Sequence, residues 1–181
     1  PPGFGCDRLL LAYLNSPIVD GYLKAMNPTV NTTVNDVFAL PLPPKLRADT
    51  VASNVEQLIS LARTDWDSYE RSPYYQKHPL ISCRDSVRSA FQRRLNESRN
   101  SADRFKALEE ENNAIFIEAM GLGEEFSPTV PDHQISLTSN PSYRYGVEVS
   151  DSDKLHRLRT DVASELVSYA IGCMMGRYSL D

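Results

Sequence analysis

Between Cys83 and Met120 the chain has neither proline nor glycine, and its apolar residues recur at helical steps. Val87, Phe91, Leu95, Ala102, Phe105, Leu108, Ile115, Phe116 and Ala119 recur largely at steps of three, four and seven residues. That period predicts a helix over 83–120, and Gly121 and Gly123 supply its stop. At about 1.5 Å per residue such a helix reaches over ~50 Å. The remaining positions are polar and crowded with charge, as in a long packed hairpin or a coiled-coil-like arm. A rod of that length dictates a mainly helical fold.

The other segments arrange themselves around it. In residues 7–26, Leu10, Leu14, Ile18, Tyr22 and Met26 step by four along one stripe, which Pro17 kinks or breaks. Asn27-Pro28 signals a turn, and the Thr- and Val-rich run after it suits an extended segment. Val37–Leu42 reads as a short strand running into Pro43-Pro44. Asp49 or Ser53 caps a helix carrying Val55, Leu58, Ile59 and Ala62 to about Tyr69, after which SPYYQKHPL turns the chain. Pro128, Pro131 and Pro141 exclude a helix from 124–150, leaving a connector with extended pieces around Ile135 and Leu137. From Asp151 or Ser152 a last helix carries Leu155, Leu158, Val162, Leu166, Tyr169 and Cys173. Gly172 and Gly176 permit close approach of a neighbouring element. The expected fold is therefore mainly α: a small α/β remnant up to residue 44, then a long-helix hairpin or bundle over 45–181.

Composition narrows the function. The chain has 181 residues, 41% of them hydrophobic, enough for one core and an appended element. It lacks an initiator methionine and reads as a piece of a longer protein. No uninterrupted apolar run is long enough for a membrane span. Cys6, Cys83 and Cys173 stand far apart, without CxxC spacing, and His78, His133 and His156 are equally scattered. That spacing excludes a zinc knuckle and argues against a disulfide framework and a structural metal, and a reduced, cytoplasmic setting fits. The net charge of −5 argues against tight nucleic-acid binding by this piece alone, because phosphate neutralisation supplies most of such affinity.

The segment SNPSYRYG at 139–146 differs by one residue from the Asn-Pro-Pro-Tyr with which adenine-specific methyltransferases grip a flipped base. The sequence ahead of it, HQISLTS, makes at best a half-exposed edge rather than a buried strand. No glycine-rich turn follows a strand to hold a cofactor: GFG at 3–5 has no strand before it, and GLG at 121–123 ends a helix. The segment is read as a decoy. No GxSxG elbow appears, and EEEN at 109–112 reads as a solvated helix face. The arginines Arg84, Arg88, Arg93, Arg94, Arg99 and Arg104 either pair along the helix with Asp85, Glu97 and Asp103, or face phosphate, or face a protein partner. NTTVN at 31–35 reads as a loop whose Asn and Thr side chains could also read base edges. The DNA-contact candidates are Lys24, Asn31, Thr32, Thr33, Arg88, Arg93 and Arg94.

Two groups of motifs then carry a resemblance. LLLAYLNSPIVDGYLKAMNPTVNTTVNDVFALPLP, with its LNS (14–16), NPT turn (27–29) and LP exit (Leu40-Pro41), resembles the close of the target-recognition region in fused methyltransferase–specificity proteins. RTDWDSYERS (63–72), NAIFIEAMGLGEEFSPTVP (113–131), NPSYRYG (140–146) and ELVSYAIGCMMGRYSLD (165–181) resemble the C-terminal portion of the PglX family, adenine-specific DNA methyltransferases of BREX phage defence. Met120 and the Pro73-Tyr74 pair depart from the family pattern. The resemblance implies a parent that moves a methyl group from S-adenosylmethionine to adenine N6, with its cofactor and catalytic motifs far upstream. It implies no catalytic, cofactor or metal residue in this piece. Residues 1–44 would end the DNA target-recognition region, and 45–181 would form a helical spacer or scaffold touching DNA or other BREX components. A helical protein-interaction scaffold without DNA contact, the equivalent part of a type IIG restriction–modification enzyme, and a homodimer of the piece stay open.

Overall fold

The structure, a computed structural model, describes residues 4–27, 29, 31–43, 48–81 and 86–178. Its helices are α1 (Phe4–Leu14), α2 (Pro17–Met26), α3 (Val34–Phe38), α4 (Ala48–Asp67), α5 (Val87–Met120), α6 (Pro141–Tyr145) and α7 (Asp151–Met174), with 3₁₀ turns at Pro79–Ile81 and Asp132–Gln134. The mainly α expectation holds. Several sequence features lie outside the described residues: Gly3 of GFG, Pro28 of the NPT turn, the Pro44 exit, Cys83–Asp85 ahead of α5, and the closing Ser179–Asp181.

The strand expected at Val37–Leu42 is not formed, and no β-strand occurs among the described residues. A capping box wins instead. Thr33 sits extended and its Oγ1 accepts from the Asp36 amide at 3.3 Å, while the Asp36 carboxylate accepts from the Thr33 amide at 2.8 Å. Two orphan donors are satisfied within four residues, which outweighs the β-propensity of Val34 and Val37. Asn27 braces this turn, donating to Asp36 Oδ2 and to the Asn31 carbonyl, both at 3.0 Å. The hydrogen bond from Asn27 and those from Thr33 hold the Asp36 carboxyl below its ordinary range. The break at Pro17 is real. Ser16 caps α2, and Pro17 opens it, where its missing N–H costs nothing.

Close packing divides the chain into two compact units: Pro1–Ile59 with Lys106–Val130, and Ser60–Phe105 with Pro131–Asp181. In the first, Tyr13, Ile18, Val19, Leu40, Val51, Val55, Ile115, Phe116 and Ile117 form the core. Each such side chain removed from water contributes about 1.5–3 kcal/mol. Tyr13 tilts against Phe116 with ring centroids 5.5 Å apart, and its hydroxyl donates to the Pro41 carbonyl. Arg8 pairs with Glu56. Asn54 of α4 donates to Glu111 and Asn112 of α5, at 3.0 and 3.1 Å. Gly121, at φ +68°, ends α5 in the left-handed region. The returning chain is tied to α5 by Glu110, which accepts from the Val130 amide, and by Asn113, which donates to the Pro128 carbonyl.

The second unit is organised around Asp65, near the end of α4. Its carboxylate is buried and accepts from the amides of Thr138 at 2.6 Å and Ser139 at 3.1 Å. Those bonds hold down the 131–140 loop, whose Ile135 and Leu137 are each 1% exposed. The expectation of a half-exposed edge there is therefore overturned. Ile135 and Leu137 are core, delivered by a loop and not by a strand. At the far end of α7, Tyr169 stacks on Tyr178 at 5.2 Å and Tyr75 meets both edge-on. Gly172 makes room for this stack, since a Cβ there would stand 2.6 Å from the Tyr178 ring. Gly176, at φ +74°, has nothing within 4 Å of that position and acts as the helix stop. Glu70 closes the arrangement, accepting from Ser168 (2.7 Å), Tyr178 (2.8 Å) and Arg177 (3.1 Å).

Removing the Asp65 carboxylate orphans two amides in the second unit, so Asp65→Ala should cost about 2–3 kcal/mol. Asp67→Ala, which loses one hydroxyl contact, should cost under about 1 kcal/mol. Urea unfolding of both variants checks the ranking, and equal midpoints would refute it.

Candidate functional site

The sequence feature nearest to known chemistry is SNPSYRYG, and its local structure explains what it does. Pro141 does not block a helix here but starts one, as the first residue of α6. The expectation that prolines exclude helix throughout 124–150 fails at this point and at Asp132–Gln134, where Pro131 takes the capping position. Asn140 caps α6, its Oδ1 accepting from the Ser142 amide at 3.1 Å. Its Nδ2 donates to the carbonyls of Asp132 (2.7 Å) and Ile135 (3.0 Å). Both donors of this 6%-exposed side chain, and one of the two lone pairs of its oxygen, are thus engaged inside the fold. A base-gripping asparagine presents its carbonyl oxygen to the adenine amino group. The Asn140 oxygen is buried and already accepts from Ser142.

The rest of the motif docks on α7. Arg144 forms ion pairs with Asp161 at 2.8 Å and Glu165 at 3.0 Å, and its guanidinium lies over the rings of Tyr69 (5.7 Å) and Tyr145 (5.6 Å). Tyr145 donates to Asp161 at 2.8 Å. Burial pushes the Tyr69 phenol up to about 12, and burial plus the bond to Asp161 raises that of Tyr145. These phenols stay protonated at neutral pH, and the cluster acts as a clamp between α6 and α7. Tyr143, the last residue of the Asn-Pro-Ser-Tyr string, is exposed.

The seven DNA-contact candidates fall in both units. Lys24 lies exposed in the last turn of α2 and pairs with Asp20 at 2.7 Å. Asn31 and Thr32 are exposed, and Thr33 is spent on capping α3. Arg88 is exposed near the start of α5, and Arg93 is half-buried. Arg94 is committed inward, donating to Ser68 at 2.7 Å. Sequence reasoning missed Asp65, Glu70 and Arg144. TDWD and YRYG were visible as strings, but nothing in their spacing shows which loop an isolated acid or base will hold.

Two buried titratable groups lie elsewhere. His78, 3% exposed, accepts the Leu80 amide on Nδ1, and burial followed by Arg94 lowers its pKa to about 4. Glu109, half-buried on α5 in the first unit, is pushed up to about 7 by burial. Among the described residues no group of three His, Cys, Asp or Glu could hold a metal ion, and no helix is long and apolar enough to cross a membrane.

No family model matches the chain. It is 31% identical over 172 residues to the adenine-specific methyltransferase BrxX of Escherichia coli O9:H4 (strain HS), which covers 95% of this chain and 14% of that protein. It is 33% identical over 177 residues to the adenine-specific methyltransferase PglX of Lacticaseibacillus casei (strain Zhang), covering 94% of this chain and 13% of that protein. The resemblance to PglX-type proteins therefore holds along nearly the whole chain. The chain spans about one seventh of the length of these relatives.

Two outcomes follow. Asn140→Ala removes a cap and leaves two carbonyls without their donor, so thermal melting should report a loss of about 2–3 kcal/mol. Tyr143→Ala, at an exposed side chain, should stay within about 0.5 kcal/mol, and equal losses in the two variants would refute the capping role of Asn140. The second outcome concerns pH. Unfolded chains protonate His78 below about 6.5, whereas the fold resists this until about 4, so its contribution is complete above 6.5 and lost as pH falls toward 4. The fold keeps the Glu109 proton up to about 7, whereas unfolded chains release it above 4.5, so that contribution is complete below 4.5 and lost as pH rises to 7. The two slopes oppose each other between 4.5 and 6.5. Glu109→Gln should make Tm climb steadily across that window and exceed the parent's at pH 7.5; an unchanged profile would rule out the buried carboxyl.

Proposed function

We propose that this chain is a non-catalytic helical module of a BREX-type adenine-specific DNA methyltransferase, serving DNA target recognition and assembly while another part of the protein transfers the methyl group. The observation that carries the reading is the state of Asn140. The chain aligns nearly end to end with two adenine-specific methyltransferases, yet the one motif resembling their base-gripping loop is consumed as a helix cap. A module without a free base-binding amide or a glycine-rich cofactor turn positions rather than reacts. S-adenosylmethionine is then the cofactor of the longer protein, bound outside these residues, and the cytoplasm is where such a protein meets DNA.

A second reading has one observation in its favour. The net charge of −5 gives the chain no surplus of positive field for phosphate, which suits a protein-docking scaffold. Duplex DNA at low salt separates the two. With a DNA-contacting module, a gel shift should appear at low salt, fade by about 200 mM as counterion release dictates, and weaken severalfold in Lys24→Glu and Arg88→Glu. Both side chains are exposed, so the variants keep the fold. Unchanged mobility throughout leaves the scaffold. Calorimetry with S-adenosylmethionine should give no heat, and a saturating isotherm would overturn the non-catalytic reading.

A further inference from the structure

The two compact units differ in charge. The first carries 11 Asp and Glu against 5 Lys and Arg, a net −6, and the second 13 against 14, a net +1, which together make the −5 of the chain. The first half of α5, up to Phe105, belongs to the second unit. A polyanion is repelled least there.

Along that half, the inner side of α5 is marked by the buried Ala90, Ser98 and Phe105, and Arg94 reaches the same way to Ser68. On the opposite side Arg88, Gln92, Asn96, Arg99 and Asn100 fall within an arc of about 120° at 3.6 residues per turn. All five are exposed, and their side chains form no hydrogen bond or ion pair among the described residues. Ser89 shares the arc and is bonded to Ser86. The first carboxylate on this side is Asp103, one turn past Arg99, and Glu97 stands outside the arc.

Water alone does not select this set. A helix side that meets only solvent is well served by Ala, Glu, Lys and Arg, with acids four residues from bases. Asn is a weaker helix former, because its amide competes for the backbone, yet two stand mid-helix with their amides unbonded. A local rule broken with no compensating contact in the fold marks a functional surface. The arc also lacks the aromatic or aliphatic anchors on which protein interfaces depend. What its side chains share is the chemistry of base edges. In the major groove Arg pairs with guanine O6 and N7, and Asn or Gln with adenine N6 and N7. From Arg88 to Asn100 the helix rises about 18 Å, the length of about five base pairs, and the groove, about 12 Å wide, admits a helix.

We propose that the outer side of α5 from Arg88 to Asn100 lies in the major groove of duplex DNA and reads guanine and adenine through its arginines and amides. The inference rests on the DNA-recognition part of the proposed function and deepens it, placing base reading on α5 rather than in the 31–35 loop. That loop belongs to the acidic unit, and its Thr33 is spent on the α3 cap.

The test offers the 181-residue chain a pool of duplexes with a random window of about ten base pairs at low salt, and sequences the bound fraction. One short motif holding both G·C and A·T pairs should be enriched at least about fivefold over the input. The double variant Gln92→Ala with Asn96→Ala should lose that enrichment while its total binding stays within about twofold, since phosphate attraction is untouched. Its Tm should equal or exceed the parent's, because alanine is the better helix former and neither amide holds the fold. Lys24→Glu should weaken all duplexes alike and leave the motif unchanged. A bound pool matching the input, a motif that survives the double variant, or a lower Tm in that variant overturns the proposal while DNA binding stands. Failure to retain any duplex overturns the DNA reading itself, and this inference with it.

Discussion

A carboxylate taken largely out of water needs bonded partners, and Asp65 meets this demand by fixing a loop to a helix. Its oxygens take the amides of Thr138 and Ser139, residues more than seventy positions away in the chain. Charge-assisted bonds of this kind are worth more than neutral ones, and leaving either half unmade is costly in a buried setting. The bonds therefore fix where the 131–140 loop lies. With the loop fixed, Ile135 and Leu137 become core, and Asn140 stands where its amide reaches two carbonyls and opens α6. Arg144 on α6 then meets Asp161 and Glu165, which fixes α6 on α7. The second unit is a chain of polar commitments that begins at one buried acid.

Periodicity was the most legible part of the sequence, because burial of a stripe is a local property. The stretch from Val87 to Met120, the stop at Gly121, the break at Pro17 and the last helix all announce themselves through spacing and terminators, although that helix is capped by Ser150 and not by Asp151 or Ser152. Two readings failed for a common reason. At Val34–Phe38 and at Pro141–Tyr145 a residue class stood in for its geometry: β-branched residues for strand, proline for no helix. Thr33 and Asn140 reverse both, since a side-chain oxygen at the capping position stabilises the first turn whatever follows it. Long-range partners were invisible. Asp65, Glu70 and Arg144 look like ordinary surface charges until tertiary structure brings a loop, a tail or a helix to them.

The candidate site shows the same limit from the other side. Asn140-Pro141-Ser142-Tyr143 resembles a reactive loop as a string, and what separates the two is whether the amide oxygen is free. In the base-gripping case a preceding strand ends and the asparagine projects into a pocket; here the preceding loop curls back under the asparagine and takes both of its donors. The missing cofactor turn was enough to mark the motif as a decoy, but the reason for an asparagine at that position lay beyond the sequence. It is a cap with two further bonds, a structural post that accounts for the residue without any ligand.

Charge distribution is not captured by the net charge of an acidic chain. Formal net charge counts every carboxylate alike, yet many in the second unit face inward or are held by neighbours: Asp65 by amides, Glu70 by Ser168, Tyr178 and Arg177, Asp161 and Glu165 by Arg144. A partner approaching any face within a Debye length, about 8–10 Å, sees the nearest uncompensated groups before it sees the total. On the outer side of α7 those groups include the Asp153 carboxylate as well as Arg157 and Arg159. A chain that resembles DNA-modifying enzymes along its length need not owe its own contacts to DNA. The distribution of its uncompensated charge decides that, one face at a time.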